Sequence, residues 1–119
     1  MPKWQSVETM QHGAMAGALF ETAAVMAIVK SYAAHGRAAP ISFYRDHQGR
    51  EIDVIMEQDG RAFPIEVKLG SRVAETDVAH LRFFTKHEKK AGRGAVVCSA
   101  LEAVSFDRSI AIVPLSLIN

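Results

Sequence analysis

The feature that most constrains this chain is an Asp-Gly dipeptide, Asp59-Gly60, between two runs in which apolar and polar residues alternate. Asp-Gly favours a type I′ turn, because both central residues of that turn have positive φ. Residues 51–58 and 61–69 are therefore predicted to pair as a β-hairpin. The predicted register pairs Gln58 with Arg61, Val54 with Ile65, Ile52 with Val67, and Asp53 with Glu66.

Strand alternation divides this hairpin into two faces. The predicted apolar face consists of Ile52, Val54, Met56, Phe63, Ile65, Val67 and Leu69. The predicted polar face consists of Glu51, Asp53, Glu66 and Lys68.

The opposed carboxylates of Asp53 and Glu66 are the unusual part of the polar face. With Cβ atoms about 4.5–5.5 Å apart, they would repel by roughly 3 kcal/mol at an effective dielectric of about 20. A divalent cation between them would turn this repulsion into binding energy, and Mg²⁺ commonly takes one or two carboxylates. Lys68 would reach the same space. The alternative is a solvated strand face on which Lys68 neutralises Glu66.

The bulk composition is that of an ordinary globular domain. The chain has 119 residues, of which 49% are hydrophobic and 23% charged, enough for one domain with its own core. The formal net charge of +1 gives no global attraction to nucleic acid, so any basic surface must be local. The single cysteine, Cys98, excludes an internal disulfide, and no secretory signal is recognisable, which predicts a cytoplasmic protein.

The N-terminal third predicts a long helix. Residues 1–12 are polar and are predicted to be a mobile lead-in, and residues 13–35 are rich in Ala, Leu and Met, with Gly36 as a left-handed cap. We expect this helix to be buried because it is apolar nearly all round. Its apolar run, residues 14–29, is too short for a membrane span, and Glu21 interrupts it. Glu21, an acid in apolar surroundings, requires a cation or hydrogen bonds; the alternative is pairing with an arginine.

The other elements complete an α/β order. Residues 41–45 predict a strand, 46–49 a turn, 75–89 a helix with Thr76 as N-cap, 95–100 a central buried strand, and 110–118 a last strand with Pro114 at an edge or bulge. On the helix, Val78, Leu81 and Phe84 share one face. The helical crossover implies a parallel, right-handed strand pair within a mixed sheet.

The ordered set formed by Glu21 on a helix, Asp53 on a hairpin strand, and Glu66-Val67-Lys68 resembles the PD-(D/E)XK, or restriction-endonuclease-like, superfamily. More narrowly, residues 13–119 resemble the C-terminal domain of unknown function of prokaryotic AAA-type ATPases. The resemblance implies one nuclease-like domain with an αβββαβ core and a mixed central sheet flanked by helices. No ATPase portion is recognisable, so a stand-alone version or a fragment is expected.

The resemblance also assigns roles. It implies that Asp53 and Glu66 bind Mg²⁺ or Mn²⁺, that Glu21 assists metal or water coordination, and that Lys68 orients the attacking water or stabilises the phosphate. Ile52 stands where the motif has proline, and the second helix has no Gln-x-x-x-Tyr element, so a further catalytic or DNA-positioning residue is missing.

These residues suit phosphodiester hydrolysis, which needs a metal for the phosphate, a hydroxide and a cation for developing charge. We expect nucleic acid, most simply DNA, to be held through its backbone, without sequence reading. The candidate contacts are Arg45, Arg72, Lys86, Lys89, Lys90 and Arg93. The chain is thus predicted to be a metal-dependent deoxyribonuclease domain, with an ATPase and a second copy as candidate partners and no membrane association. The alternative is a non-catalytic module of the same fold that binds nucleic acid or protein.

Overall fold

The computed structural model describes residues 7–118, and its six strands form one mixed sheet with the order β1-β2-β3-β4-β6-β5. The elements are α1 (Val7–Ala33), β1 (Ile41–Arg45), β2 (Glu51–Gln58), β3 (Arg61–Val67), α2 (Ala79–His87), β4 (Gly94–Cys98), β5 (Val104–Ser105) and β6 (Ile110–Pro114). Strands β1 to β3 form an antiparallel meander, while β3, β4 and β6 are parallel. The chain is therefore a mixed α/β protein, with α2 as the crossover between β3 and β4.

The central hairpin closes as its turn residues predict. Asp59 and Gly60 both have positive φ, 53° and 76°, and the register from Gln58–Arg61 to Val54–Ile65 is the predicted one. The regular ladder ends at Val54–Ile65, so the predicted backbone pairs Asp53–Glu66 and Ile52–Val67 lie beyond it. The Asp53 carboxylate instead accepts the Val67 N–H, at 2.8 Å.

An extra residue in β2 changes which side chains share a face. Ser42 of β1 lies opposite Ile55, but Tyr44 lies opposite Ile52, so β2 has one residue more than β1 across this stretch. This shift is a β-bulge. Beyond it, the alternation of β2 side chains between the two faces of the sheet is shifted by one residue. Ile52 and Ile55 consequently share one core cluster, while Val54 belongs to the other. Val54, Met56, Ile65 and Val67 share the face under α1, as predicted. The prediction is wrong for Ile52, which lies on the opposite face, and that face is apolar rather than polar.

Each face of the sheet has a core of its own. Under α2, the buried residues are Ile52, Ile55, Val78, Leu81, Phe84, Val96, Cys98 and Ile110. Under α1, they are Ala24, Ile28, Val54, Ile65 and Val97. Strand β4 contributes to both clusters, which confirms the prediction of a central strand covered on both faces.

Helix α1 differs from its prediction at its start and in its burial. It begins at Val7, so residues 7–12 are helical rather than a lead-in, and residues 1–6 lie outside the described part of the chain. Its end at Ala33, before Gly36 with φ 70°, agrees with the predicted cap. Within the described residues only Ala24 and Ile28 of this helix are buried, because the sheet covers one side of it. The expectation of burial all round is wrong.

The length argument against a membrane span also fails. Within residues 7–118, the segment Gln11–Ala33 is a single helix that is long and apolar enough to cross a membrane, by length and composition only.

The second half of the chain follows its pattern with two local differences. The predicted helix 75–89 is a 3₁₀ turn, Glu75–Val78, followed by α2, and Val78, Leu81 and Phe84 are buried as predicted. Thr76 is not a helix cap; the Asp77 carboxylate accepts the Ala74 N–H instead, at 2.7 Å.

The last predicted strand is shorter than expected. Strand β6 ends at Pro114 and a 3₁₀ turn, Leu115–Leu117, follows. The short strand β5, which the sequence did not predict, pairs with β6 only at Ala111 and Ile112. Pro114 therefore lies where one edge of β6 is unpaired, as a residue without an N–H requires.

Candidate active site

An acidic cleft of about 260 Å³ opens where α1, β1 and the bulged part of β2 meet. We call it the acidic cleft because three acids line it, Glu21 from α1 and Glu51 and Asp53 from β2. It is lined by Glu21, Phe43, Tyr44, Arg45, Glu51, Ile52 and Asp53. The bulge in β2 places Asp53 at this opening, so the irregularity of the sheet shapes the cleft.

Asp53 is fixed by the backbone of the neighbouring strand. Its Oδ2 accepts the Val67 N–H at 2.8 Å, a side-chain bond in place of the ladder that ends at Val54–Ile65. Burial raises the pKa of Asp53 and the Glu51 carboxylate adds to the rise, whereas the Val67 hydrogen bond lowers this pKa. The cross-strand bond is what permits a half-buried acid at this position.

Glu66 is the most perturbed acid in the described chain. Burial, followed by repulsion from Asp53, raises the pKa of Glu66 to about 8, and Glu21 and Glu51 contribute smaller repulsions. A hydrogen bond from the Asp53 backbone N–H opposes this rise. The Glu66 Oε1 atom is buried without a hydrogen-bond partner. Glu66 is therefore mostly protonated at neutral pH unless a cation or donor reaches that oxygen.

Glu21 belongs to the same electrostatic group although its side chain is exposed. Desolvation raises the pKa of Glu21 first, and the charges of Asp53 and Glu51 raise it further. It lines the acidic cleft and, within residues 7–118, forms no ion pair with an arginine.

The acids do not form a ready-made three-residue metal site. Among residues 7–118, no three His, Cys, Asp or Glu side chains are grouped so that they could hold one ion together. A cation at the cleft would therefore take one or two carboxylates and complete its shell with water, which is the usual pattern for Mg²⁺.

Lys68 has a different partner from the predicted one. Its Nζ donates to Asp77 Oδ2 at 2.6 Å and to the Arg72 backbone oxygen at 2.7 Å. Lys68 does not form an ion pair with Glu66 in the described structure, so the alternative in which it neutralises that acid is wrong. The hydrogen bond from Lys68 is the largest cause of the lowered pKa of Asp77.

The predicted nucleic-acid contacts divide between the two ends of β3. Arg45 lines the acidic cleft and pairs with Glu51 at 2.5 Å, and Arg72 follows shortly after β3. The Lys90 backbone oxygen, in contrast, accepts the N–H of Ala62 near the start of β3. Ala62 precedes Glu66 by four residues, or about 13 Å of strand.

The other basic candidates lie in the last turn of α2 or after it. Lys86 is in that last turn and Lys89 follows the helix, and both are exposed. Arg93 donates to Ser105 and to the Asp107 and Ile110 backbone oxygens, so it holds the β5–β6 connection. The structure therefore does not bring Lys86, Lys89, Lys90 and Arg93 to the acids.

Sequence patterns did not identify Phe43 and Asp77, and they placed Glu51 on the polar face without a role. Phe43 has 73% of its surface exposed and lines the acidic cleft. Glu51 lines the cleft too, and its backbone oxygen lies 2.9 Å from His80 Nδ1. Asp77 anchors Lys68. Asp77 lies in the first turn of the predicted helix, where an acid is a capping signal, and assigning the cap to Thr76 concealed it.

Comparison with known proteins gives a family but no function. No curated protein and no solved structure matches the chain. The family model for a domain of unknown function, DUF4143, matches residues 16–118. This match is consistent with the C-terminal domain of AAA-type ATPases. Because the match spans most of the chain, this protein belongs to the DUF4143 family.

Proposed function

We propose that this domain binds Mg²⁺ or Mn²⁺ at the acidic cleft and hydrolyses phosphodiester bonds of nucleic acid, as a restriction-endonuclease-like domain of the PD-(D/E)XK type. The observation that carries the proposal is Glu66. Its Oε1 atom is buried without a partner, and burial followed by repulsion from Asp53 raises the pKa of Glu66 to about 8. An acid whose ionised form is disfavoured by burial and by like charges is a common feature of functional sites.

The residues present fit a divalent cation. Asp53 and Glu66 would hold it, with Glu21 and Glu51 adding negative charge at the rim of the cleft. All four are oxygen ligands of the kind that Mg²⁺ and Mn²⁺ prefer. When bound, the cation would polarise the phosphate and acidify a water molecule.

The remaining roles follow from side chains already in place. Asp77 and the Arg72 backbone oxygen hold the Lys68 ammonium two residues beyond Glu66, where it would meet negative charge on a phosphate. Arg45 adds a second positive charge at the cleft. Phe43 offers an exposed ring on which an unpaired base would stack, a contact that tolerates any sequence.

The order of the elements supports the proposal. A helix, a three-stranded meander, a crossover helix and a parallel strand occur in the order implied by the superfamily resemblance. Asp53 on β2 lines the acidic cleft, and Glu66 on β3 interacts electrostatically with Asp53 just beyond the end of the hairpin ladder.

Metal binding and activity test the proposal together. Calorimetry with Mg²⁺ and Mn²⁺ should give saturable binding that Glu66→Gln and Asp53→Asn abolish and Glu21→Gln weakens about tenfold. The matched control is Glu57→Gln, an exposed acid on the same strand near the turn. It should bind as the wild type does. Cleavage of single- and double-stranded DNA and of RNA should require the metal and be lost with Lys68→Ala.

One pair of observations favours the second function, a non-catalytic module of the same fold. Lys68 is already paired with Asp77, and within residues 7–118 three acids do not group around a common ion position. Nucleic-acid binding that is unchanged by chelator and by Glu66→Gln, together with absence of cleavage, would establish the module and contradict the nuclease.

A further inference from the structure

Helix α1 has a second apolar side that the sheet does not cover. Ala24 and Ile28 face the core, whereas Met15, Leu19 and Met26 have 60%, 64% and 44% of their surface exposed. At 100° per residue, these three lie within about 40° of one another and roughly opposite Ala24. The exposed side is therefore a separate apolar stripe, not the margin of the core.

The stripe has the spacing of a helix–helix seam. Met15, Leu19, Thr22 and Met26 are separated by four, three and four residues, which is the alternation that keeps side chains facing a second helix. A helix needed only to cover its own sheet has no reason to repeat this spacing on its outer side.

The same side of the helix has a hollow beside the stripe. It measures about 360 Å³ and is lined by Ala23, Met26, Ala27, Lys30 and Ser31. The small side chains of Ala23 and Ala27 make it, and their positions along one helix form the type of hole into which a side chain of a facing helix inserts. The protruding side chains Met15 and Leu19 lie in the first half of the stripe, and the hollow lies in the second.

We propose that α1 pairs with α1 of a second copy of this chain in antiparallel orientation, with the two-fold axis near Thr22 and Ala23. In this arrangement Leu19 of each copy enters the hollow of the other, and Met15 packs near the partner copy's Lys30. Parallel pairing would instead oppose Leu19 to Leu19 and leave both hollows empty. The stripe is thus complementary to a second copy of itself only when the two helices are antiparallel. Self-complementarity is what an isologous interface requires.

The length of α1 suits such a pairing. Stable interfaces bury roughly 800 Å² per partner, and a helix of 27 residues is about 40 Å long. The three exposed stripe residues are large, flexible or branched apolar side chains, which suit the centre of an interface. This inference is independent of the proposed nuclease activity, because Glu21 faces the acidic cleft and not the stripe.

Sedimentation equilibrium of the full chain tests the proposal. We expect a species of twice the 13.0 kDa chain mass at micromolar concentration. Leu19→Glu should raise the dimer dissociation constant at least about 100-fold, with an unchanged circular dichroism spectrum because Leu19 is exposed in one copy. The matched control is Leu101→Glu, at a leucine 96% exposed outside the helix, which should leave the mass unchanged. A wild type that is monomeric at about 100 μM would overturn the proposal.

Cross-linking tests the orientation. Thr22→Cys should form a disulfide-linked dimer under mild oxidation, since the two copies of residue 22 lie beside the axis. Met15→Cys should not, because the antiparallel arrangement places its two copies at opposite ends of the seam. Cross-linking at both positions would mean a parallel pair and overturn the proposal. A monomeric chain that binds lipid vesicles and loses this binding with Leu19→Glu would show that a membrane covers the stripe instead.

Discussion

The conformations of the two ends of the central hairpin have different physical causes. At the turn, the Asp59-Gly60 dipeptide closes a regular ladder that runs to Val54–Ile65. At the other end the ladder stops, a bulge enters β2, and the Asp53 carboxylate replaces a backbone partner of Val67. Local backbone preference determines the end at the turn, which we call the closed end. Packing and charge determine the other end, at Asp53 and Glu66, which we call the open end. The closed end is therefore expected to be structural and the open end functional.

The largest expected effect is at Val54, where the regular ladder ends. Val54 is completely buried in the core under α1, so Val54→Ala should lower the free energy of unfolding by about 2–3 kcal/mol through lost burial and a cavity. Urea denaturation measures this change. Val104→Ala, at an exposed valine of β5, is the matched control and should change stability by less than about 0.5 kcal/mol. Equal effects at both positions would contradict the assigned core.

The second effect separates the structural role of Asp53 from its charge. Asp53→Ala leaves the Val67 N–H without its acceptor and should cost about 2 kcal/mol in the free energy of unfolding. Asp53→Asn retains an acceptor oxygen and removes repulsion, so without metal it should be neutral or slightly stabilising. Thermal melts in chelator compare the two variants. A large loss with Asn would mean that the negative charge itself is stabilising.

The third effect is a pH dependence at the open end. The pKa of Glu66 is about 8 in the folded chain against 4.5 for an ordinary glutamate, so folding favours its protonated form. The contribution of Glu66 to stability is then greatest below about pH 4.5 and is lost as the pH rises through about 8. Allowing for solvent screening, Glu66→Gln should gain about 1–2 kcal/mol on the wild type between pH 5 and pH 8.5. If the unfolding free energies of the wild type and of Glu66→Gln changed in parallel over this pH range, the raised pKa of Glu66 would be contradicted.

The smallest effect concerns the closed end. Gly60 has φ 76° and nothing within 4 Å of an added Cβ, so Gly60→Ala should cost about 1 kcal/mol through backbone strain alone. Gly17 lies in α1 with the same open space but without a positive φ. Gly17→Ala should therefore stabilise by about 0.5–1 kcal/mol. A Gly60→Ala variant as stable as the wild type would mean that the turn does not depend on its left-handed residues.

Sequence patterns predicted the features that short-range physics controls. The turn at Asp59-Gly60, the cap at Gly36, the face of Val78, Leu81 and Phe84, and the central strand β4 are all present. The structure of the open end was harder to predict, because no distinctive residue marks the bulge in this sequence. One extra residue in β2 reverses alternation, which moves Val54 away from Ile52.

The sequence by itself determined which chemically active residues the chain carries: Glu21, Asp53, Glu66 and Lys68 are visible without coordinates. Only the tertiary structure decided their surroundings. It paired Lys68 with Asp77, left the Glu66 Oε1 atom without a partner, and moved the basic loop after α2 to the far end of the sheet. It also left one side of α1 uncovered. The physical reason is that pKa and burial depend on contacts between residues distant in sequence, whereas turns and helix caps depend on neighbours.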